Sequence, residues 1–312
     1  MKVIRAKTMG MCFGVQDALA LMRNLPNPQE VTVYGELVHN PEVLKEIAQR
    51  GMTIVSETQR VPPFSKAIVV TAHGVSQTEK RQLAQNAEQV YDTTCPLVRR
   101  LHQKALALQD SGYFIIVIGK PGHVEVKGLV GDLQTYTVVE KPEDVQLYSH
   151  QLLGVVSQTT TPPSLAETIV QHIRDKNPAA HLKYVDTICK STRDRQQAVA
   201  ELLNQVEAMV VVGGANSNNT RQLTEICHRR GVPCLQVQNE RELPTDWFLP
   251  YGVVGVTAGT STLDSTIDKV CQTLSRMPNR IDKQDEAKSS WAKEYYRYYP
   301  TRIGSSQSVL EY

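Results

Sequence analysis

The sequence predicts an α/β protein made of three similar small parallel-sheet units around a shared axis. Strand and helix patterns alternate from end to end of the 312 residues. The strands at residues 67–70 and 209–212 are apolar without alternation, as in parallel sheets covered on both faces. Three times a short apolar strand runs into a lone cysteine, at Cys12, Cys95 and Cys189, with a helix predicted just beyond. This regular recurrence indicates an internal repeat.

The repeat divides the chain into units spanning residues 12–94, 95–188 and 189–282, followed by a surface tail at 283–312. Residues 1–11 supply a strand that we expect to complete the third unit and so close the ring. Each unit carries a second polar loop at a matching distance from its cysteine, marked by His39, His123 and Ser217. A third loop follows a later strand. Since the carboxyl ends of parallel strands share one edge, these loops should converge.

The composition of the chain argues against some classes of partner. A hydrophobic fraction of 41% and a charged fraction of 21% are those of an ordinary globular protein. A net charge of +2 provides no general field for nucleic acid or membrane. No apolar run approaches the roughly 20 residues of a membrane helix, and the first residues lack an apolar signal region. We therefore expect a cytoplasmic location, with neither nucleic acid nor membrane as a partner.

Three converging thiols would form a metal site with one position left open. Zinc with three cysteines and water is one option, and a cubane iron–sulfur cluster with one iron free of protein ligands is the other. Local C-x-x-C pairs, which are usual at zinc sites, are absent, so the larger cofactor fits better. Three unrelated buried cysteines are the alternative. The other cysteines, Cys227, Cys234 and Cys271, are expected to be small buried hydrophobes.

The remaining loop side chains favour an anion site. Histidines donate hydrogen bonds near neutral pH, and helices predicted directly after the loops offer free backbone N–H groups to a phosphate. The candidates are His39, His73, His123, Ser217, Asn219 and Ser261. Glu125 is the only carboxylate within one of these loops and is the candidate proton donor. Thr159 and Thr160 are candidates to relay that proton or to anchor a substrate hydroxyl.

At this point the chain resembles the 4-hydroxy-3-methylbut-2-enyl diphosphate reductase family, in motifs that run in order from about residue 4 to 280. They are Gly10-Met11-Cys12-Phe13-Gly14-Val15, Val38-His39-Asn40, Ala72-His73-Gly74-Val75-Ser76, Asp92-Thr93-Thr94-Cys95-Pro96-Leu97-Val98, Gly122-His123-Val124-Glu125-Val126-Lys127-Gly128, Gln158-Thr159-Thr160, Asp186-Thr187-Ile188-Cys189, Asn216-Ser217-Asn218-Asn219-Thr220 and Val256-Thr257-Ala258-Gly259-Thr260-Ser261. The resemblance implies a pseudo-threefold trefoil around a central iron–sulfur cluster. It also implies the last step of the non-mevalonate isoprenoid pathway, yielding isopentenyl and dimethylallyl diphosphate.

The resemblance further implies roles for individual residues. The three repeat cysteines would hold a four-iron four-sulfur cluster, Thr159 would contact the reacting hydroxyl, and Glu125 would supply the proton. Ferredoxin or flavodoxin would deliver the electrons. The diphosphate would be bound by His39, His73, His123, Ser217, Asn219 and Ser261, with Asn218 as a further candidate. We also expect Thr159 and Thr160 among the substrate-binding residues, and His123 among the catalytic residues together with Glu125 and Thr159.

Three positions depart from the family pattern. Val124 and Leu263 stand where proline is common, and Asn218 stands where many members have serine. None of these removes a cluster ligand or the proposed acid. Two alternatives stay open: a non-catalytic iron–sulfur redox sensor or electron carrier, and a reductase acting on a different allylic diphosphate.

Overall fold

The computed structural model describes residues 1–57, 60 and 64–278, so the predicted tail at 283–312 lies outside the described residues. Within them, twelve strands form three four-stranded sheets, all with parallel pairing. The sequence-based prediction of three small parallel α/β sheets is thus confirmed. The first strand, β1 (Lys2–Arg5), pairs with a strand more than two hundred residues further along the chain.

The first sheet has the order β3-β2-β4-β5. Its strands are β2 (Val31–Tyr34), β3 (Thr53–Val55), β4 (Ala67–Val70) and β5 (Gln89–Asp92). Its helices are α1 (Phe13–Asn24), α2 (Pro41–Gln49) and α3 (Gln77–Gln85). The side chains of Asn40 and Ser76 cap α2 and α3 by accepting from backbone N–H groups of the first turn.

The second sheet has the order β7-β6-β8-β9. Its strands are β6 (Phe114–Ile118), β7 (Tyr136–Val139), β8 (Leu152–Ser157) and β9 (His181–Val185). Its helices are α4 (Pro96–Asp110), α5 (Val124–Val130) and α6 (Pro163–Lys176). Alternate residues of β6 enter two different cores, Ile116 and Ile118 on one face and Ile115 and Val117 on the other. This burial on both faces explains why the strand reads as one apolar run.

The third sheet has the order β1-β12-β10-β11. Its remaining strands are β10 (Ala208–Val212), β11 (Cys234–Val237) and β12 (Val253–Ala258). Its helices are α7 (Lys190–Leu202), α8 (Asn218–Arg229), the short α9 (Thr245–Phe248) and α10 (Asp264–Arg276). The N-terminal ammonium of Met1 donates to the carbonyl of Met277 at 3.1 Å, which fastens β1 beside the end of α10.

The three sheets share one strand order. In each sheet, the outer strand that leads into a cysteine pairs with the inner strand at the equivalent position. These pairs are β1 with β12, β5 with β4 and β9 with β8. Parallel pairing places the carboxyl ends of these strands at one edge of each sheet. The exact residue limits of the three units stay a prediction. Among the described residues, no helix has both the length and the apolar character needed to cross a lipid bilayer.

Candidate active site

Cys12, Cys95 and Cys189 each occupy the position just before a helix, as N-caps of α1, α4 and α7. All three line one cavity of about 90 Å³, here called the thiol cavity. That volume is several times the roughly 10–15 Å³ that one water needs. Residues more than eighty positions apart in the chain therefore meet at one place.

Equivalent backbone hydrogen bonds hold the three cysteines. The N–H of Cys12 donates to the carbonyl of Thr260 at 3.0 Å, and the N–H of Cys95 donates to that of Ala72 at 3.0 Å. In the third unit, Cys189 donates to Thr159 at 2.9 Å. Each acceptor lies in the loop that follows β12, β4 or β8. The repeat thus places each cysteine against its neighbouring strand-end loop in the same way.

The donor set fits a cofactor larger than a single ion. In a tetrahedral zinc site with Zn–S bonds of about 2.3 Å, the sulfur atoms lie about 3.8 Å apart. Among the described residues, the sulfur atoms of the three cysteines do not all lie within 4.8 Å of one another, although the three thiols line one cavity. Burial raises the pKa of the Cys95 and Cys189 thiols, so a metal group would have to displace their protons. Three spaced thiols around an open volume match a three-cysteine iron–sulfur cluster.

Gly14 is a further component of the thiol cavity. A Cβ at this position would lie 2.6 Å from the Sγ atom of Cys95, much closer than real contacts allow. Only a glycine lets the first turn of α1 approach this cysteine of the next unit.

A second cavity of about 60 Å³, the histidine cavity, adjoins the first and shares His73, Glu125 and Thr160 with it. The other predicted residues that line it are His39, His123, Ser217, Asn218, Asn219 and Ser261. The three imidazole rings form a compact group, with centroids 4.8 Å apart for His39 and His73 and 5.8–5.9 Å for the other pairs. Side chains from all three sheets therefore enclose one small polar volume.

Several polar atoms in this wall are buried and have no hydrogen-bond partner among the described residues: Nδ1 of His73, Nδ2 of Asn219 and Oγ of Ser261. A buried donor without a partner costs roughly 1–3 kcal/mol. Nδ2 of Asn219 and the hydroxyl of Ser261 can donate, and Nδ1 of His73 donates in one of the two neutral tautomers, so the cavity suits a ligand rich in hydrogen-bond acceptors. A diphosphate has this character.

Burial keeps two of the histidines neutral. Desolvation lowers the pKa of His73 well below its usual value and lowers that of His123 to about 4. Nδ1 of His123 accepts a hydrogen bond from the backbone N–H of Glu125 at 3.2 Å, so its proton resides on Nε2. Nδ1 of His39 lies 2.7 Å from the carboxylate of Glu36.

Glu125 lies in the wall between the two cavities and is only 3% exposed. The backbone N–H of Thr159 donates to its Oε1 at 2.7 Å, and the Thr159 hydroxyl donates to its Oε2 at 2.8 Å. Burial raises the pKa of Glu125 to about 7, although the two bonds from Thr159 act in the opposite direction. A carboxyl that holds its proton at neutral pH is suited to general acid catalysis.

Thr160 makes different contacts from its neighbour. Its hydroxyl accepts from Nδ2 of Asn218 at 2.8 Å, while Oδ1 of Asn218 accepts from Arg221 at 2.8 Å. These bonds join the second and third sheets at the histidine cavity. Asn218 stands where many family members have serine, and both ends of its side-chain amide have hydrogen-bond partners here.

The structure brings every predicted site residue to the wall of one or both cavities, while the role of each stays a prediction. Gly14 and Thr260 stood within the motifs that carry the family resemblance, but no role was predicted for them. Glu36 and Arg195 were missed altogether. Arg195 is 4% exposed and donates two hydrogen bonds to the carbonyl of Gly10, close to Cys12. The spacing of three residues between Glu36 and His39 was a signal that could have drawn attention to the first of these.

Comparison with known proteins identifies the family to which the chain belongs. The family model described as "LytB protein" matches residues 3–275. A 4-hydroxy-3-methylbut-2-enyl diphosphate reductase of Dehalococcoides mccartyi (strain CBDB1) is 33% identical over 287 residues, covering 89% of this chain and 99% of that protein. The enzyme of the same name from Vibrio cholerae is 31% identical over 288 residues, covering 89% and 91%.

Solved structures agree. That of the E-1-hydroxy-2-methyl-but-2-enyl-4-diphosphate reductase from Plasmodium falciparum matches with a TM-score of 0.79 at 25% identity, covering 89% of each chain. A structure of (E)-4-hydroxy-3-methyl-but-2-enyl diphosphate reductase, described as the terminal enzyme of the non-mevalonate pathway, gives 0.63 at 30% identity, covering 88% and 99%. The chain belongs to the LytB protein family, which includes the 4-hydroxy-3-methylbut-2-enyl diphosphate reductases.

Proposed function

We propose that this protein reduces (E)-4-hydroxy-3-methylbut-2-enyl diphosphate to isopentenyl diphosphate and dimethylallyl diphosphate, the last step of the non-mevalonate isoprenoid pathway. The observation that carries the proposal is that a thiol cavity and an anion-binding cavity share one wall, which contains a buried carboxyl group. A small allylic diphosphate would extend from one cavity into the other.

Cys12, Cys95 and Cys189 would hold a four-iron four-sulfur cluster, which would supply electrons and a Lewis-acidic iron for the substrate hydroxyl. The reaction breaks one C–O bond and consumes two electrons and two protons. One proton leaves with the hydroxyl as water, and the other forms a new C–H bond. The electrons would come from ferredoxin or flavodoxin, and a cytoplasmic location stays a prediction.

The residues of the histidine cavity would bind the diphosphate. His123 presents a neutral Nε2–H, and the unpartnered donors of Asn219 and Ser261 match phosphate oxygens. Asn218, held by Arg221, would close the same wall together with Ser217 and Thr160. Side chains from three sheets would order around the phosphates and exclude water from the reacting end.

Glu125 would be the source of the proton. With its pKa raised to about 7, this carboxyl carries a proton in a large part of the molecules at neutral pH. When Glu125 is protonated on Oε2, this O–H can donate to the Thr159 hydroxyl 2.8 Å away, and that hydroxyl would pass its own proton to the substrate hydroxyl in the thiol cavity. A pure electron carrier has no need of this carboxyl or of an anion cavity.

The proposal is tested by anaerobic reconstitution with iron and sulfide, followed by turnover with reduced methyl viologen. We expect an EPR-active cluster and formation of both five-carbon diphosphates. A protein that binds no iron, or that holds a cluster but leaves the substrate unchanged, would refute the proposal. Turnover of other allylic diphosphates at a higher kcat/KM would identify a related reductase instead.

A further inference from the structure

The charge of the histidine cavity requires an explanation. A diphosphate carries several negative charges, yet burial keeps two of the three neighbouring histidines neutral. Three imidazolium rings with centroids 4.8–5.9 Å apart would also repel one another. Positive charge in this group is therefore best placed on one ring, and the hydrogen bonds identify which one.

His39 is the ring with a carboxylate partner. Its Nδ1 lies 2.7 Å from Oε2 of Glu36, and an ionised carboxylate can only accept, so Nδ1 carries a proton. A neutral ring would then present Nε2 as a bare acceptor, which repels phosphate oxygens. A proton shared between Nε2 and a phosphate oxygen removes this repulsion, and the bond from Nδ1–H to Glu36 leaves Nε2 as the ring nitrogen available for that contact.

The surroundings strengthen this pair. The side chains of His39 and Glu36 are 16% and 34% exposed, so their attraction is less screened than that of a surface ion pair. Further ionisable groups lie in this neighbourhood. The carboxylate of Glu57 lies within 4.8 Å of ring nitrogens of His39 and His73, with Arg60 and Lys127 around it. Lys120 and Arg221 act on the neighbouring His123.

Glu57 does not take the place of Glu36. Its Oε1 is buried without a hydrogen-bond partner among the described residues, and burial raises its pKa. Desolvation therefore favours the neutral form of Glu57. The direct bond to the histidine nitrogen belongs to Glu36.

We propose that Glu36 is a positioning residue that holds the Nδ1–H of His39 and so leaves Nε2 to share a proton with the substrate diphosphate. The inference rests on the proposed function and adds to it a division of labour: one histidine anchored by a carboxylate and two neutral histidines. Glu36 lines neither cavity and would act through His39.

The test is isothermal titration calorimetry of inorganic diphosphate binding to the cluster-loaded protein at pH 7. Glu36→Gln keeps the length of the side chain and an oxygen that accepts from Nδ1–H, but loses the charge. We expect roughly tenfold weaker binding, the difference between a charge-assisted and a neutral hydrogen bond. KM should rise by a similar factor, with kcat within about twofold.

Two controls separate this role from a structural one. Glu46→Gln removes a carboxylate that pairs with Arg23 outside both cavities, and should leave diphosphate binding unchanged. In a His39→Asn background, Glu36→Gln should have little further effect, because the group through which it acts is gone.

The outcomes are distinguishable. If the unmodified protein fails to bind diphosphate, the proposed function is wrong. If it binds, but Glu36→Gln binds equally well, only the role of Glu36 is wrong. An undiminished effect in the His39→Asn background would likewise show that Glu36 acts elsewhere.

Discussion

Replacing Glu125 by glutamine isolates proton delivery from the rest of the site. The amide has nearly the same shape as the carboxyl. Its oxygen can still accept from the backbone N–H of Thr159, which lies 2.7 Å from Oε1 of Glu125 in the unmodified protein. The Thr159 hydroxyl, which donates to Oε2 at 2.8 Å, can turn and accept from the new NH₂ group. The cavity walls and the three thiols stay in place, while the titratable proton is lost.

The magnitude follows from the titration of the carboxyl. With a pKa of about 7, about half of the Glu125 carboxyls are protonated at pH 7, about nine-tenths at pH 6 and about one-tenth at pH 8. If this proton is transferred in the rate-limiting step, kcat should fall about tenfold from pH 6 to pH 8. Loss of a positioned general acid lowers rates by roughly 10²–10⁴-fold, so we expect Glu125→Gln to lose at least about a hundredfold in kcat.

The assay is steady-state turnover with reduced methyl viologen, a donor whose one-electron potential does not depend on pH. Iron content and EPR spectra are measured on the same samples. Glu46→Gln serves as the matched variant, since it removes an exterior carboxylate. A Glu125→Gln protein with an intact cluster and near-normal kcat would show that the acid is another group. A flat kcat between pH 6 and 8 in the unmodified protein would refute the titration argument.

Three further changes probe the thiol and histidine cavities. Serine in place of any one cysteine of the thiol cavity should lower the iron content per chain, whereas Cys227→Ser, on the buried face of α8, should leave it unchanged. Gly14→Ala would put a Cβ 2.6 Å from Sγ of Cys95 and should reduce iron retention, whereas Gly252→Ala, with its nearest contact at 3.4 Å, should not. Ser261→Ala removes an unpartnered hydroxyl, so diphosphate affinity should fall about two- to tenfold while the free energy of unfolding holds or rises; a marked loss of stability would contradict this assignment. For the cysteine and glycine changes, equal iron loss in the variant and in its control would contradict the prediction.

Much of the site was predictable because it lies on repeated strand ends. Parallel strands deliver their carboxyl-terminal loops to one edge, so the cysteines before α1, α4 and α7 could be expected to meet. The same rule located the three histidines. What it could not supply is contact between units: Gly14 is two residues past Cys12, yet its importance arises from Cys95.

The hydrogen-bond partners of adjacent hydroxyl groups could not be predicted from the sequence either. Thr159 and Thr160 are adjacent hydroxyls, and only the structure shows that the first binds Glu125 while the second binds Asn218. The Glu36–His39 pair is a three-residue spacing that occurs commonly without a contact. Val124, noted as a departure from the family, is a buried residue at the first position of α5, where proline is also accommodated. The structure leaves His123 as the cap of that helix.

The pairing of β1 with β12 sets an order of events during synthesis. Residues 2–5 find their partners only when residues 253–256 have been made. At a translation rate of about 5–20 residues per second, that delay is about 12–50 s. Until then the third sheet lacks one edge strand, and the backbone N–H of Cys12 has no carbonyl of Thr260 to bind, so the thiol cavity is complete only after residue 260 has been made.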